Sequence, residues 1–209
     1  MQQSRTKTAA TAPTRRAPKQ QRSRQTVDDV LEAVRLVVKR HGAQAVTTNR
    51  IAEAAGVSVG SLYQYFPTKD AVTRALVQRE AMLLMEEIAD IAALRSGRTS
   101  LERFIKAAVA HQLRRPVLAR LLDIEEARLP PDPEVEVQSD RVTEIFSQCL
   151  RGADLPATAL APEAASDLLA IIRAIVDTAG RHGETDRGAL VRRVNCAVFG
   201  YLEWQAPRA

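Results

Sequence analysis

The chain is poor in aromatics. Phe, Tyr and Trp make up 4% of its 209 residues. A core with so few rings must be filled mainly by aliphatic side chains. Cysteine is scarcer still: Cys149 and Cys196 are the only two. Their wide spacing excludes a disulfide framework and a cysteine-based metal site, and suits a reducing, cytoplasmic setting. No apolar run approaches the roughly 20 residues that a membrane-spanning helix needs, so no membrane partner is expected. The first residues are polar and basic without an apolar segment, unlike a secretory signal. Three histidines, His41, His111 and His182, lie far apart. There is no glycine-rich phosphate loop and no His-x-x-Glu pair, so no metal, cofactor or enzymatic reaction is expected.

Acid is missing from one stretch. Residues 1–24 hold Arg5, Lys7, Arg15, Arg16, Lys19, Arg22 and Arg24 and neither Asp nor Glu. This reads as a disordered basic arm, either a solubilising tail or a phosphate-contacting one. The asymmetry extends further. Residues 1–69 carry a net charge of +8 and residues 70–209 a net −3. A cation-rich front on a mildly acidic body points to a polyanionic partner for the front alone.

What is present is helical periodicity. Ala, Leu, Arg and Glu are plentiful, and all are good helix formers. Val27, Val30, Leu31, Val34, Val37 and Val38 recur at i, i+3, i+4 spacing, with Thr26 as expected N-cap and Gly42 as expected terminator. A short helix follows, capped by Thr47, with Ile51, Ala52 and Ala55 inward and Gly56 ending it. Ser58 caps the next, from about Val59 to Tyr65, and Pro67 stops it. A longer helix and two short ones joined by a tight glycine turn make a helix-turn-helix. A fourth helix is expected from about Thr68 to Leu94, with an apolar stripe that includes Met82, Ile88 and Ile91. Further helices are expected from Ser100 to Arg114, from Pro116 to Leu129 and from Val135 to Leu150. Val135-Glu136-Val137 alone would also fit a short strand. Pro162 should open a helix ending near His182, and the last runs from about Thr185 to Trp204. The fold class is all-α: a three-helix head over 25–70 and a larger helical bundle over 71–209.

The scarce aromatics crowd into one place. "VSVGSLYQYFPTK", Val57 to Lys69, holds Tyr63, Tyr65 and Phe66. Leu62 and Phe66 lie four apart on one helical face and should pack inward. Tyr63 and Tyr65 carry hydroxyls suited to phosphate oxygens. Thr47, Thr48 and Ser58 place hydroxyls at helix starts, where backbone amides favour anions. Gly60 lets a backbone approach closely. Val59 can touch a thymine methyl, and Ser61 and Gln64 can hydrogen-bond base edges. Lys69 supplies a cation for the backbone. Arg50 is either a solvated helix charge or a DNA contact. The third helix has no Arg or Lys, so base readout there cannot use the commonest guanine contact.

The stretch "TTNRIAEAAGVSVGSLYQYFPTKDAV", Thr47 to Val72, resembles the DNA-binding signature of the TetR/AcrR family of transcriptional regulators. The resemblance covers about residues 26–76 by motif and the remainder by architecture alone. It implies a homodimer that binds a palindromic double-stranded operator and releases it when a small-molecule effector binds the body. It also implies a two-helix dimer face, drawn from Leu168, Ile172, Ile175, Val191, Val194, Val198 and Tyr201; the alternative is that both stripes bury within one chain. Effector contacts are expected from Phe104, His111, Gln112 and Phe146, or from the acidic cluster Asp123, Glu125 and Glu126, which could equally be a solvated helix end. A nonspecific nucleic-acid-binding adaptor, or an activator of the same fold, is the alternative.

Overall fold

The computed structural model describes residues 17–204 apart from Pro131. All regular structure among them is helical. Helix α1 spans Ala17–His41, α2 Thr48–Ala55, α3 Val59–Tyr65, α4 Lys69–Ile88 and α5 Gly97–Arg114. Helix α6 spans Pro116–Arg128, α7 Pro133–Cys149, α8 Ala164–Arg181 and α9 Arg187–Trp204.

Several boundaries differ from the sequence pattern. Helix α1 begins at Ala17, so Lys19, Arg22 and Arg24 sit on a helix and not in an arm; residues 1–16 lie outside the described part. Thr26 is therefore not a cap. Its hydroxyl donates to the Arg22 carbonyl at 3.0 Å, one turn back. Helix α4 stops at Ile88, and a 3-10 turn over Ile91–Ala93 follows. Leaving the helix presents the Ile91 carbonyl to the Ser100 hydroxyl, 3.3 Å away. Ser96, not Ser100, caps α5: its Oγ accepts from the Thr99 amide at 3.1 Å. Pro133 opens α7, two residues before the expected start at Val135. Asp132 caps it there, and Val135-Glu136-Val137 is helical. Pro162 precedes α8 by two residues, with Glu163 at the cap position.

Two apolar clusters divide the molecule. The head cluster gathers Val30, Leu31, Val34, Val37 and Val38 of α1 with Ile51, Leu62, Phe66, Val72 and Leu76. The body cluster gathers Ile88, Leu101, Phe104, Ile105 and Phe146 with the inner faces of α8 and α9. Helix α4 serves both, through Val72 and Leu76 at one end and Ile88 at the other. Met82, placed in its apolar stripe by periodicity, is instead 54% exposed. Helix α6 follows α5 of the body, yet Leu118 and Leu122 are buried in the head cluster.

The seam between the clusters is ionic. Arg35 of α1 and Arg115, at the α5–α6 joint, both bond the Glu80 carboxylate of α4. Arg35 and Glu80 are 8% and 12% exposed. Arg74 of α4 reaches Asp132 at 3.1 Å, and Arg79 reaches Asp28 of α1 at 3.0 Å.

The start of α5 is clamped to the turn after α7. Asp154 accepts from the Ser96 hydroxyl at 2.6 Å and from the Gly97 amide at 2.7 Å. A Cβ on Gly152 would lie 2.3 Å from the Gly97 backbone. Gly152→Ala should therefore lower stability by about 1–3 kcal/mol, the usual cost of overpacking, read as a lower urea midpoint. The Ser96 hydroxyl foremost, then the Gly97 and Arg98 amides, hold the Asp154 carboxyl below its ordinary pKa. Its stabilising share is present above the usual carboxylate range and is lost as pH falls through its depressed value. Thermal melts from neutral to acid pH should show a shallower acid decline in Asp154→Asn than in the wild type.

Candidate nucleic-acid interface

The second and third helices are set by their caps. Thr47 is extended (φ −125°, ψ 153°), and its Oγ1 accepts from the Arg50 amide at 3.4 Å. Gly56 terminates α2 in the left-handed region at φ 67°, where a side chain would be strained. The Val57 amide then returns to the Ala52 carbonyl at 3.0 Å. Ser58 caps α3, its Oγ accepting from the Ser61 amide at 3.0 Å and lying 2.9 Å from the Ser61 Oγ. Both cap hydroxyls use their oxygens as acceptors. Thr47 still has an O–H to donate outward, and the Ser58–Ser61 hydroxyl pair, in which either oxygen can donate to the other, keeps one more.

Burial sorts the aromatics of α3 by direction. Leu62 has no accessible surface and Phe66 is 6% exposed, packed with Ile51 in the head cluster. Tyr63 is 46% exposed and Val59 36%. Gly60, Gln64 and Lys69 are exposed, and Ser61 is half-buried. Tyr65 straddles the divide, half-buried with its ring against the head cluster. On α2, Arg50 is exposed and Thr48 half-buried. Thus the residues named from the pattern on α2, α3 and the start of α4 are exposed or half-buried. Two more escape the pattern. Asn49 is exposed beside Thr48. Thr68 is exposed and caps α4, its Oγ1 accepting from the Ala71 amide at 3.1 Å. A Thr directly before a lysine-led helix was the legible sign of the second. The surface of α3 carries no formal charge, and an aliphatic side chain, Val59, stands in its first turn. Such a surface can read base edges and methyl groups, flanked by hydroxyls, amides and Lys69 for phosphates.

The residues expected around an effector do not gather. Phe104 and Phe146 meet edge to face, with centroids 4.8 Å apart, and are 3% and 0% exposed. They are closed core with no open wall. His111 and Gln112 diverge, as successive helical residues must. Gln112 turns to α6, where its amide donates to Asp123 at 3.2 Å. His111 turns to α4, and burial pushes its pKa down against the pull of Glu80 and Glu87. Glu125 pairs with Arg128; the Glu126 side chain lies outside the described residues. The expected dimer face also divides. Leu168, Ile172, Val194 and Val198 are buried within one chain and have no surface to offer a second copy. Ile175, Val191 and Tyr201 are half-buried, and the Tyr201 hydroxyl donates to Asp167 at 2.7 Å. Side-chain periodicity identifies an apolar face without saying which neighbour covers it. Here the cover comes from the same chain: α8 and α9 pack on each other, α5, α6 and α7 on α8, and α5 on α9. Among the described residues no group of His, Cys, Asp and Glu could hold a metal, and no helix is long and apolar enough to cross a membrane.

A helix-turn-helix head with an outward polar face, joined by one helix to an all-helical body, defines the class of DNA-binding transcriptional regulators. Residues 30–76 match the family described as "Bacterial regulatory proteins, tetR family", and residues 98–202 match "Tetracyclin repressor-like, C-terminal domain". The chain belongs to the TetR family, whose members are DNA-binding regulators and not enzymes. Its fold is similar to a TetR-like transcriptional regulator from Rhodococcus sp. RHA1, at TM-score 0.63 and 21% identity over 85% of this chain and 96% of that one. It is also similar to a TetR transcription regulator from Haloarcula marismortui, at TM-score 0.71 and 16% identity over 87% and 98%. At those identities the likeness is one of fold. The nucleoid occlusion factor SlmA of Glaesserella parasuis is 45% identical over 60 residues, 28% of this chain and 30% of that protein. The same factor from Haemophilus ducreyi is 49% identical over 51 residues, 24% and 25%. The match spans less than a third of those relatives' length.

The division of α3 is open to test by stability alone. Phe66→Ala should cost about 3–5 kcal/mol, while Tyr63→Phe should stay within about 0.5 kcal/mol of the wild type, both from urea denaturation.

Proposed function

We propose that the protein is a transcriptional repressor that binds a palindromic operator as a homodimer and is released by a small-molecule effector. The observation that carries the DNA reading is the outward face of α3: exposed Val59, Gly60, Tyr63 and Gln64 between two hydroxyl-capped helix starts. In this reading Val59, Ser61 and Gln64 meet base edges. The Thr47, Thr48, Ser58, Tyr63 and Tyr65 hydroxyls and the charges of Arg50 and Lys69 meet phosphates. Gly60 provides clearance: a Cβ there would find only the Ser58 hydroxyl, at 3.8 Å, within the protein.

Two half-sites need two heads at a fixed spacing. The outer faces of α8 and α9 suit a twin. Ala170 and Ala174 on one, and Cys196 and Gly200 on the other, are exposed and small enough for close helix approach. The inner stripes of the same helices are already used, so this outer face takes the dimer role.

Selection of bound sequences from a random duplex pool should return an inverted repeat, with affinity falling steeply as salt rises. A pool that yields no preference would instead favour a nonspecific adaptor. Gly60→Ala should hold or raise stability, by up to about 1 kcal/mol for a helical Gly→Ala change. It should nevertheless weaken binding to the selected duplex in an electrophoretic shift. Gly200→Arg adds its side chain where no atom lies within 4 Å of the new Cβ. Its circular dichroism should match the wild type, while sedimentation should report a monomer in place of a dimer.

A further inference from the structure

Helix α1 starts well before the part of it that packs. It begins at Ala17. Its first side chain against the head cluster is Val27, at the edge, and its first buried one is Val30. Residues 17–26 therefore lead into that contact over about 15 Å of helix, at about 1.5 Å per residue. They carry Lys19, Arg22 and Arg24 and no acid. The Arg22 and Arg24 side chains are exposed. Among the described residues neither guanidinium has a hydrogen bond or ion pair. The nearest acids along the helix are engaged elsewhere. Asp28 pairs with Arg79 of α4 at 3.0 Å, and the Asp29 carboxylate accepts from the Gln25 side chain at 2.9 Å.

Charge of this kind suits a polyanion, either a duplex or an anionic membrane surface. A helix that lies on a membrane needs an apolar face beside its cations. The stretch "APKQQRSRQT", residues 17–26, has no Val, Leu, Ile, Met or aromatic residue. A phosphate backbone asks for no such face, only for cations and hydrogen-bond donors. The head also needs cations from outside its third helix. Much of the affinity for a duplex comes from neutralised phosphates, and α3 has neither Lys nor Arg. Because residues 17–26 continue directly into the packed part of α1, their cations move with the head and keep a fixed place relative to α3. Arg22 and Arg24 are two residues apart, which sets them about 160° apart around the helix. They leave it on nearly opposite sides and reach different phosphates.

We propose that Arg22 and Arg24 contact phosphates of the duplex that α3 reads, so that the leading turns of α1 are a second, sequence-independent nucleic-acid contact of the head. The inference rests on the reading of α3 as the base-facing surface. Helix α3 then selects the site, and α1 supplies affinity for any duplex.

Fluorescence anisotropy of the full-length protein on two duplexes of equal length, one selected from the random pool and one scrambled, tests the contact between about 50 and 200 mM salt. Arg22→Gln and Arg24→Gln keep a good helix former at an exposed position, so their circular dichroism should match the wild type. Each should weaken binding to both duplexes by the same factor. Each should also lower the slope of log affinity against log salt by about one, and the double variant by about two. The ratio of the two affinities should not change. Gln64→Ala is the contrast: it should lower that ratio and leave the slope nearly as it was. An unchanged slope in the double variant, or a loss confined to the selected duplex, would overturn the proposal. So would vesicles of phosphatidylserine and phosphatidylcholine that bind the wild type and not the double variant while duplex binding stays the same, since the cations then serve a membrane. If no sequence is selected at all, the reading of α3 falls, while the slopes on the scrambled duplex still decide whether α1 touches phosphates.

Discussion

The Glu80 carboxylate holds the two halves of the molecule in register. It is nearly buried, and a charge in that position is costly unless opposite charges surround it. Its partners come from different places: Arg35 from the first helix of the head and Arg115 from the joint between α5 and α6. The observed rotation of α4 places Glu80 between both guanidinium groups. Arg114 pairs with Glu87 two turns further along α4, and His111 lies beside them, its pKa pushed down by burial. Every displacement of the head relative to the body must therefore rearrange paired charges. This gives discrete alternatives and not a continuous drift.

The head itself separates holding from reading. Ile51, Leu62 and Phe66 hold, while Val59, Tyr63 and Gln64 face outward from the same two turns. Neither set can take over the other's task, because the helical period fixes which side each residue serves. The outward set carries no cation. In the proposed reading, long-range attraction to a duplex comes from elsewhere, from Arg50, Lys69 and the cationic first turns of α1. The recognition surface is then free to discriminate through methyl contacts, hydrogen bonds and groove shape.

Much of this was legible in the sequence. The caps Thr47 and Ser58, the terminator Gly56 and the inward pair Leu62 and Phe66 announced the head, because each is a local rule needing no distant neighbour. What the pattern could not give is long-range. Thr26 looks like a cap until the preceding nine residues are seen to be helical, and a basic stretch without acids reads as disorder as readily as helix. Ser100 looks like a cap until Ser96 is seen with Asp154, 58 residues away. Leu168, Ile172, Val194 and Val198 form true stripes, yet their cover comes from other helices of the same chain. Phe104 and Phe146 were rightly apolar and central but close on each other.

Leu118 and Leu122 give the head a debt to a later part of the chain. The DNA-reading end leaves the ribosome first, and domains generally fold as they emerge. Here α1 to α4 can form their turns and caps early, but the apolar cluster beneath them lacks two of its leucines until α6 has been synthesised. A nascent chain therefore acquires its finished reading surface only after part of the body exists to support it. For the apolar cluster of the head, translation order and completion order run in opposite directions.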